Sequence, residues 1–570
     1  MEELVYGLIL FAALILGGLF VYNGIYVSTV YFIGIFPIII MLFIVSYIKK
    51  KVYFSRLKSE FISNWGTEVK RKRDFSRTRK VFDYLNKENE SFYIDDQTFS
   101  DLTMDSIFSL LDRTITSPGE EILYSMLRTP CFTEKELIRR KKIIEAFIHN
   151  DDLRHSVGIE LLKMSRKKDN DLPAFLWGEV TIDTSKKLLY RILPLLPFIS
   201  VGLYIITKNF GFIIFAPGLL AINTIVHLKT KQEIQSMTSY IGYLNSLIVS
   251  GKNICKIDDE EISEYKEKLK ELDKKLSPII RKTAGVGRIE GTSDTFEEIL
   301  YNIFLIEENK FYSAIKHIEK YLVEIKQLYL IIGEIDALLS VASYKCSNKQ
   351  ICTPKFVDEK RYFEAKNITH PLVENAVDND ILMDNRGIVL TGSNMSGKST
   401  FLRTIGVNAT LAQSFYFVTA SYYKTSFFKV MTSISPEDNI MSGKSYYFRE
   451  AEALLRIVNE DSLRVSALCI IDEIFRGTNP IERVNASAEI LKYIEKNGAL
   501  AVVATHDLEL CEIIIESFKM FYFCEDIDDE GLKFDYKLKK GICNTRNAIK
   551  LLKYLNYPDE IIKNTYNRIK

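Results

Sequence analysis

The chain has almost no net charge for its length. Its 570 residues carry 75 basic and 74 acidic side chains, so the formal net charge is +1 at pH 7. A protein that holds a polyanion over a broad surface usually carries a clear positive excess, and this chain has none. The composition therefore excludes a protein surface that is basic along the whole chain. Any contact with phosphate groups has to be made by a local group of basic residues.

Closely spaced cysteine pairs are also missing. The eight cysteines are scattered without a Cys-x-x-Cys pair, at Cys131, Cys255, Cys346, Cys352, Cys469, Cys511, Cys524 and Cys543. This distribution argues against a disulfide framework and against the usual spacing of a structural zinc site. A reduced, cytosolic body is therefore expected.

Charged residues are absent from two long apolar runs near the start of the chain. Residues 4–22 and 25–48 are each about as long as a helix that crosses ~30 Å of hydrocarbon, and three lysines follow at residues 49–51. A cleaved signal peptide is the alternative, but it requires a basic start, whereas this chain starts with two acidic residues after Met1. We expect a transmembrane hairpin over residues 1–50 with both ends in the cytoplasm.

A second pair of apolar runs spans residues 188–206 and 210–228, with a short polar turn between them and lysines on both sides. A buried hairpin in a soluble domain is the alternative, because Arg191 lies near the entry and three prolines would kink the helices. We expect a second membrane hairpin over residues 188–228. If both hairpins insert, all soluble segments lie on one side, which predicts a multi-pass protein of the cell membrane with its soluble domains cytoplasmic.

At this length the chain is expected to form several domains. Helical periodicity predicts a helical first half of a lever over residues 51–187 and a second half over residues 229–350. The region 296–342 has few helix breakers and predicts an extended helix.

Basic residues cluster at Lys70, Arg71, Lys72, Arg73, Arg77, Arg79 and Lys80. A solvated helix face is the simplest interpretation of high charge density, but this cluster exceeds that expectation. Its candidate partners are the phosphates of nucleic acid or of lipid headgroups, and its position next to the membrane favours lipid at least equally.

A glycine-rich motif, Gly392-x-x-x-x-Gly397-Lys398-Ser399, lies between a short β-branched run and the predicted start of a helix. Strand, loop and helix in this order are the context in which the motif binds phosphate, although a chance match is the alternative for one motif. Glycines let backbone N–H groups close around phosphate oxygens, and the positive end of the helix adds attraction. Lys398 is then expected to reach the β- and γ-phosphates of a nucleotide, and Ser399 to ligate Mg²⁺.

Two more apolar strands are predicted to end in polar residues. Residues 467–471 precede Asp472 and Glu473, and residues 500–504 precede Thr505 and His506. Asp472 is expected to hold the magnesium through water, Glu473 to polarise the attacking water and His506 to hydrogen-bond the γ-phosphate. A lone histidine is more often structural. Because parallel strands of a doubly wound sheet end at one edge, all these groups are expected to face one crevice.

Residues 392–400, 472–478 and 504–510 together resemble the ATPase domain of the MutS mismatch-repair family. The Asn-Met inside the loop and the Arg-Gly-Thr after the two acids are more specific than a general nucleotide motif. Residues 105–130 and 333–338 resemble parts of the helical core of this family. The resemblance implies an α/β P-loop NTPase of the ABC-like, MutS type over residues 351–570, with a C-terminal helical tail, a long all-α lever domain, and ATP and Mg²⁺ as cofactors.

The resemblance also assigns site residues. It implies that Glu473, Lys398 and His506 are catalytic and that Ser399 and Asp472 bind the metal. Nucleotide contacts are implied for Gly392, Ser393, Asn394, Met395, Ser396, Gly397, Lys398, Ser399, Thr400 and Ser445. Family ATPases dimerise through their heads, so Ser445 is expected to approach the partner's γ-phosphate, and an ordinary helix N-cap is the other interpretation of this serine.

The chain departs from the family pattern in ways that bear on function. Ser393 and Ser396 replace a proline and a glycine that are usual in the loop, which is expected to alter nucleotide exchange. Nothing in the chain resembles the family's N-terminal mismatch-reading domain, and the second apolar hairpin occupies the region where the family inserts its DNA-gripping clamp. Direct recognition of a mismatch is therefore in doubt.

Three functions are compatible with these features. The resemblance implies an ATP-driven dimeric clamp that binds mismatched or structured DNA in DNA repair while tethered to the membrane. In the second, the ATPase acts on the membrane hairpins and binds no DNA. In the third, the head is an ATP-gated dimerisation module for protein partners. Only four short spans are present and no intramembrane acid pair marks a pathway, which argues against a transporter.

Overall fold

The computed structural model describes most of the chain: residues 12–13, 15–23, 26–88, 92–166, 171–178, 187–283, 303–348, 350–393, 396–434, 446–462, 464–475, 479–528, 531–542 and 557–569. Two compact units interleave along the sequence. Unit 1 consists of Met1–Trp65, Ile115–Gly119 and Asn150–Asp336, and unit 2 consists of Gly66–Thr114, Glu120–His149 and Ala337–Lys570.

The helices with defined bounds are α1 (Ile35–Ser63), α2 (Phe75–Thr78), α3 (Lys80–Glu88), α4 (Asp96–Asp101), α5 (Met104–Leu111), α6 (Ser117–Arg128), α7 (Glu134–His149), α8 (Asp151–Met164), α9 (Leu172–Trp177), α10 (Lys187–Ile192), α11 (Leu196–Thr207), α12 (Phe210–Ile254), α13 (Ser263–Thr283), α14 (Ile306–Lys320), α15 (Leu322–Ser347), α16 (Lys398–Phe415), α17 (Tyr446–Val458), α18 (Pro480–Lys496), α19 (Leu508–Ile514) and α20 (Asp559–Ile569). Short 3₁₀ turns occupy Thr29–Gly34 and Leu193–Leu195.

The strands are β1 (Lys355–Phe356), β2 (Tyr362–Ile368), β3 (Asn379–Asp384), β4 (Ile388–Thr391), β5 (Tyr422–Thr425), β6 (Lys429–Ser433), β7 (Ala467–Asp472), β8 (Leu500–Ala504), β9 (Lys519–Tyr522), β10 (Glu525–Asp528), β11 (Gly531–Phe534) and β12 (Lys539–Lys540). All of them follow residue 350, so unit 2 combines sheets with helices. The fold is of the mixed α/β kind.

Unit 1 is helical, and α12 is its longest described element. This helix continues for 45 residues, from an apolar first part to a second part with buried Tyr243, Leu244 and Leu247. Two polar side chains of α12 pair with other helices: His227 Nδ1 lies 2.7 Å from Glu308 Oε1, and the Thr230 and Tyr190 hydroxyls are 2.9 Å apart. These pairs join α12 to α14 and α10.

Asp336 holds a tight turn within unit 1. Its buried carboxylate accepts hydrogen bonds from the Ile115 and Thr116 N–H groups, at 3.0 and 2.7 Å, and from the Thr116 hydroxyl at 2.6 Å. Gly119 is required nearby, because a Cβ at this position would lie 2.1 Å from Asp336 Oδ2. The carboxylate therefore fixes residues that are more than 200 positions away in the sequence.

The main sheet of unit 2 has six strands in the order β12-β9-β4-β8-β7-β6. The inner pairs β9–β4, β4–β8, β8–β7 and β7–β6 are parallel, and β12 is antiparallel at one edge. β4, β7 and β8 are buried along their whole length, which explains why their sequences are continuous apolar runs. As a result, the residues that follow these three strands emerge at one edge.

A smaller sheet of unit 2 has the order β1-β5-β2-β3. Its strands alternate buried and exposed residues, as expected when one face packs on the core and the other faces solvent. The β2–β5 and β2–β3 pairs are antiparallel. This sheet carries the residues between β2 and β3 that border the cavity described below.

The lever helix predicted over residues 296–342 is interrupted. In its described part, α14 ends at Lys320 and α15 begins at Leu322, because Tyr321 adopts a non-helical backbone conformation (φ −112°, ψ 25°). No proline or glycine marks this break, so the sequence carries no signal for it. The prediction of one continuous helix was wrong at this point.

The basic cluster of residues 70–80 is largely structural. Arg71 and Arg73 both bind the buried carboxylate of Asp112, with Arg73 Nε 2.9 Å from Asp112 Oδ2. Arg79 pairs with Asp83 and Asp96, each at 2.9 Å. These arginines hold unit 2 together, and the exposed lysines of the cluster, Lys70 and Lys72, are the ones that face solvent.

Candidate nucleotide site in unit 2

The glycine-rich loop joins the end of β4 to the start of α16. Gly392 and Gly397 adopt φ values of +140° and +105°, a backbone conformation that residues other than glycine rarely adopt. A Cβ on Gly392 would also lie 2.4 Å from the Phe523 carbonyl oxygen. Both glycines are therefore required by the backbone, and the loop turns directly into the N-terminus of α16.

Lys398 folds back into this loop. Its ammonium group donates hydrogen bonds to the carbonyl oxygens of Gly392 and Ser393, each at 2.7 Å, and lies 3.4 Å from His506 Nε2. The side chain is buried. A positive charge is thus held at the N-terminus of α16, where the helix dipole also favours an anion.

Ser399 and Asp472 meet beside the loop. The Ser399 hydroxyl donates to Asp472 Oδ2 at 2.5 Å, although β4 and β7, which lead to these residues, are separated by β8. Asp472 is the last residue of β7 and is mostly buried. A hydroxyl and a carboxylate oxygen are the kinds of ligand that Mg²⁺ prefers.

Glu473 and His506 form the next contact along this edge. Glu473 Oε1 lies 3.0 Å from His506 Nε2, and the Glu473 N–H donates to the Ala504 carbonyl oxygen at 2.9 Å. Glu473 has a left-handed backbone (φ +60°), as does Phe475 (φ +59°). Such conformations cost of order 1–3 kcal/mol and cluster at functional sites. The strained turn directs the Glu473 side chain towards the histidine.

The position of His506 is restrained by its neighbour Asp507. The adjacent Asp507 accepts two hydrogen bonds from Arg483 of α18, from Nε at 2.9 Å and from Nη2 at 2.6 Å. A bidentate pair of this kind fixes geometry as well as charge. The loop after β8 is therefore fastened to α18, which limits the movement of the histidine.

A cavity of about 680 Å³ opens beside the loop. Its lining combines charged side chains, among them Lys398, Asp472, Glu473 and Glu374, with the aromatic side chains of Phe401, Phe523 and Tyr536 and with His370. Burial, and then the charge of Arg403, lower the pKa of His370 to about 4, so this imidazole is neutral at pH 7. The cavity lining thus offers both charged groups and aromatic surface beside the loop.

The two serines that depart from the family pattern make hydrogen bonds. The Ser393 hydroxyl donates to Glu525 Oε2 at 2.5 Å, and the Ser396 hydroxyl donates to the Ser393 carbonyl oxygen at 2.8 Å. Sequence reasoning missed Glu525, because it lies in no motif and reaches the loop only through the β9–β10 connection. It also missed Tyr536 and His370 as residues that border the cavity.

The structure brings together most of the residues that the sequence analysis assigned to the site. Lys398, His506 and Glu473 form one series of side-chain contacts, and Ser399 contacts Asp472, the residue before Glu473. Gly392, Ser393, Ser396, Gly397 and Thr400 form the loop and the first turn of α16. Asn394, Met395 and Ser445 lie outside the described residues.

Two family models match the chain. The model of MutS domain III matches residues 90–342, and the model of MutS domain V matches residues 388–570. The second match covers all of the loop and strand-end residues described above. The first covers parts of both structural units.

Proteins named as DNA mismatch repair proteins are also similar to this chain in sequence. A DNA mismatch repair protein MutS of Thermosipho melanesiensis is 26% identical over an alignment of 509 positions, which covers 80% of this chain and 61% of that protein. A protein of the same name from Thermotoga maritima is 28% identical over 56% of the chain and 39% of its own length. DNA mismatch repair protein MSH3 of Saccharomyces cerevisiae is 30% identical over 43% and 25%. The chain thus spans less than two thirds of these relatives, and it belongs to the MutS family.

Proposed function

We propose that unit 2 binds ATP with Mg²⁺ and hydrolyses it. The observation that carries this proposal is the meeting of Lys398, Ser399, Asp472, Glu473 and His506 at one sheet edge, next to the N-terminus of α16. A triphosphate placed there meets a fixed cation, metal ligands and a carboxylate with its histidine. These are the parts that phosphoryl transfer to water requires.

Each side chain has a defined task in this proposal. Lys398 exchanges its loop carbonyl partners for the β- and γ-phosphate oxygens. Ser399 and Asp472 would hold Mg²⁺, which neutralises charge on the phosphates when bound. Glu473 takes a proton from the attacking water, and His506 orients Glu473 and the γ-phosphate. Within the described residues, no three His, Cys, Asp or Glu side chains form a metal cluster, so the remaining metal ligands would be phosphate oxygens and water.

The aromatic part of the cavity lining suits a nucleotide base. Phe401, Phe523 and Tyr536 offer aromatic surface, and the neutral His370 adds no charge. Ligand pockets of this size combine such apolar walls with a few fixed polar groups. We propose that the adenine ring packs against these aromatic side chains while the phosphates extend to Lys398.

Replacement of Lys398 by Ala is expected to weaken ATP binding by about tenfold to a hundredfold, since hydrogen bonds to a charged group contribute about 1.5–3 kcal/mol. The affinity is measured with a fluorescent ATP analogue and the purified, detergent-solubilised chain. Lys492→Ala, an exposed lysine of α18, is the matched control and should bind like the parent. Equal affinity of the Lys398 variant and the parent would show that the loop does not hold the phosphates.

We further propose that ATP closes a homodimer of these heads into a clamp on mismatched or structured DNA, with Ser445 approaching the partner's nucleotide. Support comes from the family and from relatives named as DNA mismatch repair proteins. ATP turnover is expected to rise when branched or mismatched DNA is added. A flat response to homoduplex, mismatched and branched DNA would favour the second function, in which the ATPase acts on the membrane or on a protein partner without DNA.

A membrane tether is the remaining part of the proposal. Within the described residues, two helices are long and apolar enough to span a bilayer, Leu188–Thr207 and Phe210–Thr230, and only 17% and 18% of these stretches are buried. A helix in contact with one protein partner is apolar on one side, whereas these are apolar and exposed on most sides. We propose that the hairpin lies in lipid and that the soluble units face the cytoplasm.

A cysteine placed at Ile214 tests the tether. Ile214 is 67% exposed in the second helix of the hairpin. In reconstituted vesicles, Ile214→Cys is expected to add no label beyond that of the parent with a membrane-impermeant maleimide, and to add one label in detergent. Val323→Cys, at a position of α15 that is 65% exposed, is the control and should react in both. Full labelling of Ile214→Cys in vesicles contradicts the tether, and protection that persists in detergent indicates a protein partner instead.

A further inference from the structure

Helix α1 changes character abruptly in its middle. The first half, residues 35–48, has no charged residue, and many of its large apolar side chains are exposed, including Phe36, Phe43 and Tyr47. The next ten residues contain Lys49, Lys50, Lys51, Arg56 and Lys58. No acidic residue occurs in α1 before Glu60. Apolar exposure thus ends where a dense positive charge begins.

The far end of α1 is fastened to the rest of unit 1. The Phe61 ring fills the space beside Gly158 of α8, where a Cβ would lie 2.6 Å from it. The Arg154 guanidinium lies over the Trp65 ring, 4.6 Å from its centre. α1 therefore has a docked end, a basic middle and an apolar, uncovered beginning.

The basic residues surround the helix instead of lining one side. At 100° per residue, Lys49 and Arg56 share one side, and Lys51 and Lys58 share a side about 200° away. All four side chains are exposed. We call these four residues the α1 collar.

We propose that the α1 collar binds the headgroups of anionic phospholipids, with the apolar half of α1 lying in the adjoining hydrocarbon. This inference rests on the proposal above that the helices Leu188–Thr207 and Phe210–Thr230 tether the chain to a membrane, extends the membrane contact to α1 and adds the lipid class. Cations next to a span attract anionic headgroups. Phosphate groups arranged around a helix can reach both of its sides at once.

Nucleic acid fits the α1 collar less well. A duplex is a rigid rod that touches a helix from one side, so half of the cations would face away from it. The exposed apolar residues directly before the collar would also be left in water, next to a highly charged polymer. A lipid bilayer accommodates both halves of α1. Its boundary between headgroups and hydrocarbon coincides with the boundary between the basic and the apolar part of the helix.

Lipid competition tests the proposal. The full chain in detergent is incubated with equal amounts of phosphatidylglycerol and phosphatidylcholine of the same acyl chains, repurified, and its bound lipids are counted by mass spectrometry. The parent is expected to retain phosphatidylglycerol over phosphatidylcholine by about tenfold, and this preference should shrink in 0.5 M salt. The variant with Lys49, Lys51, Arg56 and Lys58 all changed to Gln should retain the two lipids nearly equally.

A matched variant controls for loss of positive charge in general. Changing Lys268, Lys270, Lys274 and Lys275 of α13, which are also exposed, to Gln should leave the lipid preference as in the parent. Equal lipid ratios for the parent and the collar variant overturn the proposal. So does a collar variant that keeps the lipid preference but loses binding to a fluorescent DNA duplex. If Ile214→Cys is protected in vesicles while the parent shows no lipid preference, the α1 collar is refuted and the tether stands.

Discussion

Replacement of Glu473 by Gln is expected to lower the rate of ATP hydrolysis by about a thousandfold while ATP still binds. The amide keeps the size of the side chain and its contact with His506, but it cannot take a proton from water. A positioned general base contributes about 10²–10⁴-fold to the rate. Lys398, Ser399 and Asp472 are unchanged, so the contacts proposed for the phosphates and the metal remain.

Single-turnover kinetics with radiolabelled ATP measure this loss, and equilibrium binding on the same preparation measures affinity. Glu489→Gln, an exposed acid of α18, is the matched control and should hydrolyse ATP like the parent. Because hydrolysis is expected to reopen the heads, the Glu473 variant should also accumulate as a dimer in the presence of ATP, as judged by light scattering. Hydrolysis at the parental rate would remove Glu473 from its assigned role as the base.

Replacement of Asp336 by Ala is expected to destabilise unit 1 by about 3–5 kcal/mol. The change removes the acceptor of three buried donors, the Ile115 and Thr116 N–H groups and the Thr116 hydroxyl, and leaves them without a partner. Each unpaired buried donor costs about 1–3 kcal/mol. Denaturant unfolding of the detergent-solubilised chain, compared with the parent, measures the loss.

Glu324→Ala on the same helix is the control, since Glu324 pairs with the exposed Lys275 and such pairs contribute at most about 1 kcal/mol.

The pH dependence of stability provides a second measurement of the role of Asp336. Burial raises the pKa of Asp336 to about 6, above its unfolded value of ~3.9, so the folded state takes up a proton first as the pH falls. The stability of the parent relative to Asp336→Asn should therefore increase by about 1 kcal/mol from pH 7 to pH 5. Equal pH dependence of the two proteins would contradict this carboxylate's burial.

The strand-end residues of the site could be predicted from the sequence because each is tied to a local pattern. Lys398 follows a glycine loop, and Asp472 and His506 follow apolar runs that can only be buried strands. Parallel pairing then places all three at one edge. The local patterns and parallel strand pairing are therefore enough to predict that these strand-end residues lie close together. The distances Lys398–His506, Ser399–Asp472 and Glu473–His506 agree with this prediction.

The other contacts depend on approaches between distant segments. Glu525 reaches Ser393 across 132 positions, and Asp336 reaches Thr116 across 220. The sequence indicated that residues 105–130 and 333–338 matter, through the family resemblance, but not that they touch. The break at Tyr321 was missed for a different reason, since no residue that disfavours helices occurs there and packing determines the backbone.

The interleaving of the two units has a consequence for how the chain is made. Unit 1 ends at Asp336, whereas unit 2 begins at Gly66 and includes Ala337–Lys570. A ribosome therefore releases all of unit 1 while more than 200 residues of unit 2 are still to be translated. The early pieces of unit 2, residues 66–114 and 120–149, must wait in an unfinished state for that time, and the chain is most exposed to proteases and chaperones during this interval.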